Sequence, residues 1–94
     1  MKTSELKDVR ELERVMKAVA NRRRIAILKY LKSVKEASVG DIAEEIGLSF
    51  KATSKHLAIL AAAEMVERTQ RSLQMFYRIS ADQRLIIRHI FSIL

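Results

Sequence analysis

The chain has 94 residues, with no cysteine, no proline, no tryptophan and only two glycines. Without cysteine there is no disulfide, no thiol redox chemistry and no thiolate metal site. A chain so poor in proline and glycine has few tight turns, which favours long helices over many short strands. No apolar run approaches the roughly 18 residues that span a bilayer. The opening "MKTSELKD" lacks the apolar core of a secretion signal, so no membrane partner is expected and the expected location is the cytoplasm. No glycine-rich phosphate loop and no Ser/His/acid set at workable spacing occurs, which argues against an enzyme and calls for no cofactor. Acidic residues are also few: 11 against 18 Lys and Arg, a net charge of +7. An excess of that sign points to a polyanion, most often nucleic acid, once its placement on the surface agrees.

The remaining composition, 49% hydrophobic and 31% charged, is that of one globular domain over residues 1–94. Thr3 or Ser4 can cap a first helix to about Ala20, with an apolar stripe at Leu6, Val9, Leu12, Met16 and Val19. Asn21 caps a second, about 22–35, with Ile25, Leu28 and Leu31 on one side and Ile27 beside them. Ser38 caps a short third helix with Asp41 in capping-box position, and Gly47 ends it as a left-handed C′ residue. Ser49 caps a fourth helix to about Ala63. The β-rich stretch "MVERTQRSLQMFYRIS" predicts two strands, about 65–70 and 74–79, around a turn at Arg71–Leu73. Ser80 caps a last helix, with Gln83 completing a capping box. The expected fold is mainly α with a small β-hairpin, in the order α-α-α-α-β-β-α.

Helices three and four are joined only by "GLS", so they must turn sharply, and Ala43 allows them to approach closely. That is the spacing of a helix-turn-helix, about 38–63, and the hairpin at about 65–79 makes it a winged one. On the fourth helix Thr53, Leu57 and Leu60 fall on one side, with Lys51, Lys55 and Ala58 opposite and Ser54 on the flank. No acid occurs from Ile46 to Ala63. A recognition helix meets the major groove with its N-terminal residues, here Ser49, Phe50, Lys51, Ala52, Ser54 and Lys55. Lysine reads guanine edges or holds phosphates, serine does either weakly, and Ala52 or Phe50 can pack on thymine methyls. The bland reading of the same face is two solvated lysines; the winged-helix context outweighs it.

These residues resemble a known family. "AVANRRRIAILKYL", "IAEEIGLSFKATSKHLAIL" and "VERTQRSLQMFYRIS" look like the three segments of the ArsR/SmtB family of small winged-helix repressors, over about residues 12 to 80. The run Ser49, Ser54, Lys55, His56, Leu57 is its most specific part. The resemblance implies a homodimer on operator DNA, with residues 50, 51, 54 and 55 contacting bases or phosphates and the wing beside them. The family's metal-sensing members carry a Cys-x-Cys-type pair where this chain reads "EASVGDIA". A second type of site uses Asp and His on the last helix, which here offers Asp82 and His89 with Arg84 between them, a poor donor set. No metal site is expected. The usual "AGLV" after the recognition helix reads "AEMV", so Glu64 stands where glycine would take positive φ.

Three further groups complete the reading. Arg22 and Arg23 sit on the first turn of a helix, where the macrodipole disfavours cations; Arg24 is expected to pair with a carboxylate. His56 borders the recognition helix, and Arg68 and Arg71 lie on the wing, with Arg71 at its tip able to enter a minor groove. The last helix is apolar over more than half its circumference, too much for one core. A two-fold partner would cover it, so dimerisation helices are expected at about 4–20 and 81–94, through Leu6, Val9, Leu12, Ile86, Ile87, Ile90, Phe91 and Leu94. The function these features define is sequence-specific transcription regulation on near-palindromic double-stranded DNA, by a homodimeric repressor not controlled by metal. The alternatives are a winged-helix protein-interaction module and a nonspecific nucleic-acid binder.

Overall fold

The structure, a computed structural model, describes the backbone of residues 3–81 and 85–94 and the side chains of 9–81 and 87–94. Leu6, Ile86, Asp82 and Gln83, each given a role above, therefore lie outside the described side chains. The elements are α1 (Thr3–Val19), α2 (Arg22–Val34), β1 (Ala37–Ser38), α3 (Val39–Ile46), α4 (Phe50–Ala62), β2 (Val66–Arg71), β3 (Gln74–Ile79) and α5 (Leu85–Ile93). The expected order holds, with one addition: β1 stands before α3. It pairs antiparallel with β3, Ala37 opposite Tyr77 and Ser38 opposite Phe76. The hairpin is thus the larger part of a three-stranded sheet, ordered β1-β3-β2.

Local chemistry accounts for the helix ends. Asn21 accepts hydrogen bonds from the backbone N–H groups of Arg23 and Arg24, at 2.9 and 3.1 Å, and so starts α2. Ser38 Oγ accepts from Asp41 N at 3.1 Å, so one residue both closes β1 and caps α3. Gly47, at φ 75° and ψ 37°, ends α3 in the left-handed region that a residue without Cβ enters freely. Glu64 takes the same region at φ 61°. Its N–H donates to Ala61 O at 3.0 Å and that of Met65 to Leu60 O at 2.9 Å. That pair of bonds is a Schellman motif built with Glu in the place that suits Gly.

The core gathers Val15 and Ala18 of α1, Ile27, Leu28 and Leu31 of α2, Ile42 of α3, Leu57 and Leu60 of α4, Met65, Val66 and Tyr77 around the sheet, and Ile87 of α5. One expectation changes here. On α2 the inward side is Ile27, Leu28 and Leu31, while Ile25 is 41% exposed; with 3.6 residues per turn, Ile27 and Leu28 straddle the stripe that Leu31 completes. On α1 the core takes Val15 and Ala18, with Val19 packed against it, while Val9, Leu12 and Met16 face outward, at 50%, 39% and 54% exposure.

Candidate nucleic-acid interface

The turn between α3 and α4 fixes the direction of α4. Both Gly47 N and Leu48 N donate to Ala43 O, at 2.9 and 3.1 Å, and Ala43 is itself buried. Ser49 Oγ then accepts from Ala52 N at 3.1 Å. Thr53, Leu57 and Leu60 are wholly buried, which rolls the other side of α4 into solvent. Ser49, Lys51, Lys55 and Ala58 are exposed, Phe50 is 62% exposed, and Ala52, Ser54 and His56 are partly exposed. Neither lysine has an ion-pair partner among the described residues. The face is cationic, free of carboxylates and rigidly carried by its buried side.

Arg24 ties this helix to the rest of the domain. Its Nε donates to Ala18 O at 2.5 Å and its Nη2 to Lys17 O at 3.2 Å, while Nη1 lies 3.3 Å from His56 Nδ1. The expected carboxylate partner is replaced by carbonyls. The last carbonyls of α1 have no intrahelical donor and form the negative end of its dipole, so they receive a guanidinium well. Guanidinium groups only donate; His56 Nδ1 must therefore accept, which leaves the proton on Nε2. Burial lowers the His56 pKa below the usual histidine range, and the positive charges of Arg24 and Arg23 lower it further. The imidazole is thus a neutral donor on the edge of α4.

The wing differs from a plain basic hairpin. Along β2, Val66 points into the core, and side chains alternate. Arg68 and Gln70 share the Val66 side; Glu67, Thr69 and Arg71 share the other. Opposite them on β3 are Arg78, Phe76 and Gln74. Arg78 donates to Thr69 Oγ1 at 2.8 Å and pairs with Glu67 at 3.2 Å. Glu36, just before β1, joins the same face. It receives both Nη atoms of Arg71, the Nη2–Oε2 bond being 3.0 Å, and lies 3.9 Å from Arg78. The Arg71 guanidinium also sits over the Phe76 ring, 5.0 Å from its centre. Its hydrogen bonds hold the Glu36 carboxyl below the usual carboxylate range, outweighing partial burial, and raise its own pKa in turn. Arg71 is therefore folded back onto the body, and the turn beyond it carries Ser72, at φ 55°, and Leu73, 96% exposed. Arg68 is exposed and has no ion pair among the described residues.

The expected dimer residues divide. Val9 and Leu12, joined by Met16, line an outward groove of about 400 Å³ on α1, with Ala20 at its end. Ile87 is corrected: it is 0% exposed within this one chain, because the first inward turn of α5 packs into the core. Ile90, Phe91 and Leu94 are half-buried against that core, and Ile93 is 83% exposed. Lys32 Nζ donates to Phe91 O at 2.7 Å, which closes the end of α5 onto α2. Among the described residues no three His, Asp or Glu side chains converge as metal ligands, and no helix is long and apolar enough to cross a membrane.

The fold and this face define a winged helix-turn-helix regulator, and comparison with known proteins agrees. Residues 21–68, from the Asn21 cap to the first half of the wing, match the family of bacterial regulatory proteins described as the arsR family, and the chain belongs to it. It is 36% identical over 69 residues to the transcriptional activator HlyU of Vibrio cholerae, covering 73% of this chain and 63% of that relative's length. The homodimeric winged helix-turn-helix DNA-binding domain from Mycobacterium bovis superposes with a TM-score of 0.85 at 27% identity, over 99% of this chain and 82% of that one. NolR of Sinorhizobium fredii gives 0.82 at 27% identity, over 99% and 89%.

Proposed function

We propose that the protein binds double-stranded DNA as a homodimer and regulates transcription by repression, without control by a metal. The observation that carries this reading is the acid-free face of α4. Lys51 and Lys55, with no ion pair among the described residues, stand one helical turn apart on it, while Thr53, Leu57 and Leu60 lock the opposite side into the core. Ser49, Phe50, Lys51, Ala52, Ser54 and Lys55 enter the major groove, His56 offers Nε2–H to a phosphate, and Arg68 reaches the backbone from the wing. The operator is a near-palindrome, since two such helices related by a two-fold axis meet half-sites about 10 bp apart or a multiple of that.

The dimer reading rests on the outward stripe of Val9, Leu12 and Met16. Ile90, Phe91 and Leu94, half-buried on α5, supply the facing surface. An apolar groove of this kind is covered in an isologous pair, and the related domain from Mycobacterium bovis is homodimeric. Repression needs no contact beyond occupancy of the operator. HlyU of Vibrio cholerae is named an activator, so a promoter–reporter assay with the chain present and absent decides the sign. Selection of bound sequences from a random duplex pool tests the rest: the reading requires an enriched near-palindrome, and a pool with no enriched sequence contradicts it.

A further inference from the structure

The ion pairs on the wing leave one cation with a choice. Arg78 is held three ways: by Thr69 Oγ1 at 2.8 Å, Glu67 at 3.2 Å and Glu36 at 3.9 Å. Among the described residues Arg71 is held by Glu36 alone, apart from the Phe76 ring beneath it. Glu36 itself belongs to neither hairpin strand. It sits on the segment entering β1, and the pairing of β1 with β3 brings it to the sheet face that carries Arg71 and Arg78. Its side chain is 28% exposed and that of Arg71 is 53% exposed, so the pair is reachable by solvent and by a polyanion.

Resting on the DNA-binding reading above, we infer that Glu36 is an affinity-setting residue: it occupies the Arg71 guanidinium in place of a DNA phosphate. A carboxylate and a phosphate compete for the same bidentate fork. With Glu36 present the wing offers Arg68 to the DNA backbone and withholds Arg71, which keeps binding to arbitrary DNA weak and leaves discrimination to α4. Without Glu36, Arg71 is released and Arg78 is not, because Glu67 and Thr69 still hold it. The minor-groove role expected of Arg71 thus belongs to the protein that lacks the Glu36 charge.

The test is a double-mutant cycle of Glu36→Gln and Arg71→Ala, read by fluorescence anisotropy on a mixed-sequence duplex about three turns long. Glu36→Gln is expected to tighten binding about three- to tenfold near 0.1 M salt and to steepen the log–log salt slope by about 0.9, one phosphate gained. Arg71→Ala alone is expected to change affinity less than about twofold, and in the Arg71→Ala background Glu36→Gln is expected to add little. Circular dichroism and thermal unfolding confirm that each variant is folded. Unchanged or weaker binding by Glu36→Gln, or a gain that persists without Arg71, overturns the inference. Failure of the wild-type protein to bind any duplex is a different result, and removes the DNA-binding reading itself.

Discussion

Thr53 is the one buried side chain among the described residues whose polar atom has no hydrogen-bond partner. It is 0% exposed on the inner side of α4, between Lys51 and Lys55 in sequence but facing away from both. Thr53→Val replaces the hydroxyl by a methyl of nearly the same shape. Burying an unsatisfied hydroxyl costs about 1–3 kcal/mol, and threonine and valine have similar helix propensities, so nothing offsets the gain. The substitution is expected to stabilise the fold by about 1–2 kcal/mol. For a domain of this size each kcal/mol raises the Tm by roughly 4–8 °C. Thr53→Ser, which keeps the hydroxyl and loses the methyl, is expected to destabilise by about 1 kcal/mol. Thermal and urea unfolding of the two variants measure both values, and DNA affinity is expected to stay the same in Thr53→Val because the outer face of α4 is untouched. Loss of stability in Thr53→Val would mean instead that the hydroxyl finds a partner, through back-bonding to the Ser49 carbonyl or a buried water.

Three other outcomes follow from particular residues. Glu64→Gly removes a side chain from the left-handed C′ position of α4 and is expected to add about 0.5–1 kcal/mol of stability, read from the urea midpoint. The pKa of His56 is lowered in the folded protein, so the unfolded chain takes up a proton first. Its contribution is complete above the ordinary value near 6.5 and is lost as pH falls through the folded pKa; Tm measured downward from pH 7.5 is expected to fall in that window, and less in His56→Gln. Met16→Glu puts a charge on the exposed stripe of α1 while Val15 and Ala18 stay in the core. It is expected to give folded monomers by analytical ultracentrifugation, with far weaker DNA binding, whereas a wild-type monomer at tens of micromolar by the same method would remove the dimer.

What was legible in the sequence was mostly local. Caps and stops are decided by a few adjacent residues, so Asn21, Ser38, Gly47 and Ser49 could be read directly, and each acts as read. The exposed face of α4 followed from helical period alone. Contacts between distant segments were another matter. β1 has two residues, too few for any alternation to show, and without it nothing connects Glu36 to the wing; the lone acid before "ASVGD" was the available signal. The sequence offers carboxylates for Arg24, whereas its partners are carbonyls exposed by the end of α1. Ile87 is indistinguishable in sequence from its outward apolar neighbours, because a helix that is apolar almost all round does not say which side its own core takes.

Recognition of DNA by the outer face of α4 is tested by the double variant Lys51→Ala/Lys55→Ala. Each lysine that reads a base edge contributes about 1–3 kcal/mol of binding, and both point away from the core. Against the sequence enriched by selection, the variant is expected to lose at least tenfold in affinity by gel shift while its unfolding midpoint is unchanged. Undiminished affinity in a folded double variant would show that this face of α4 does not recognise DNA.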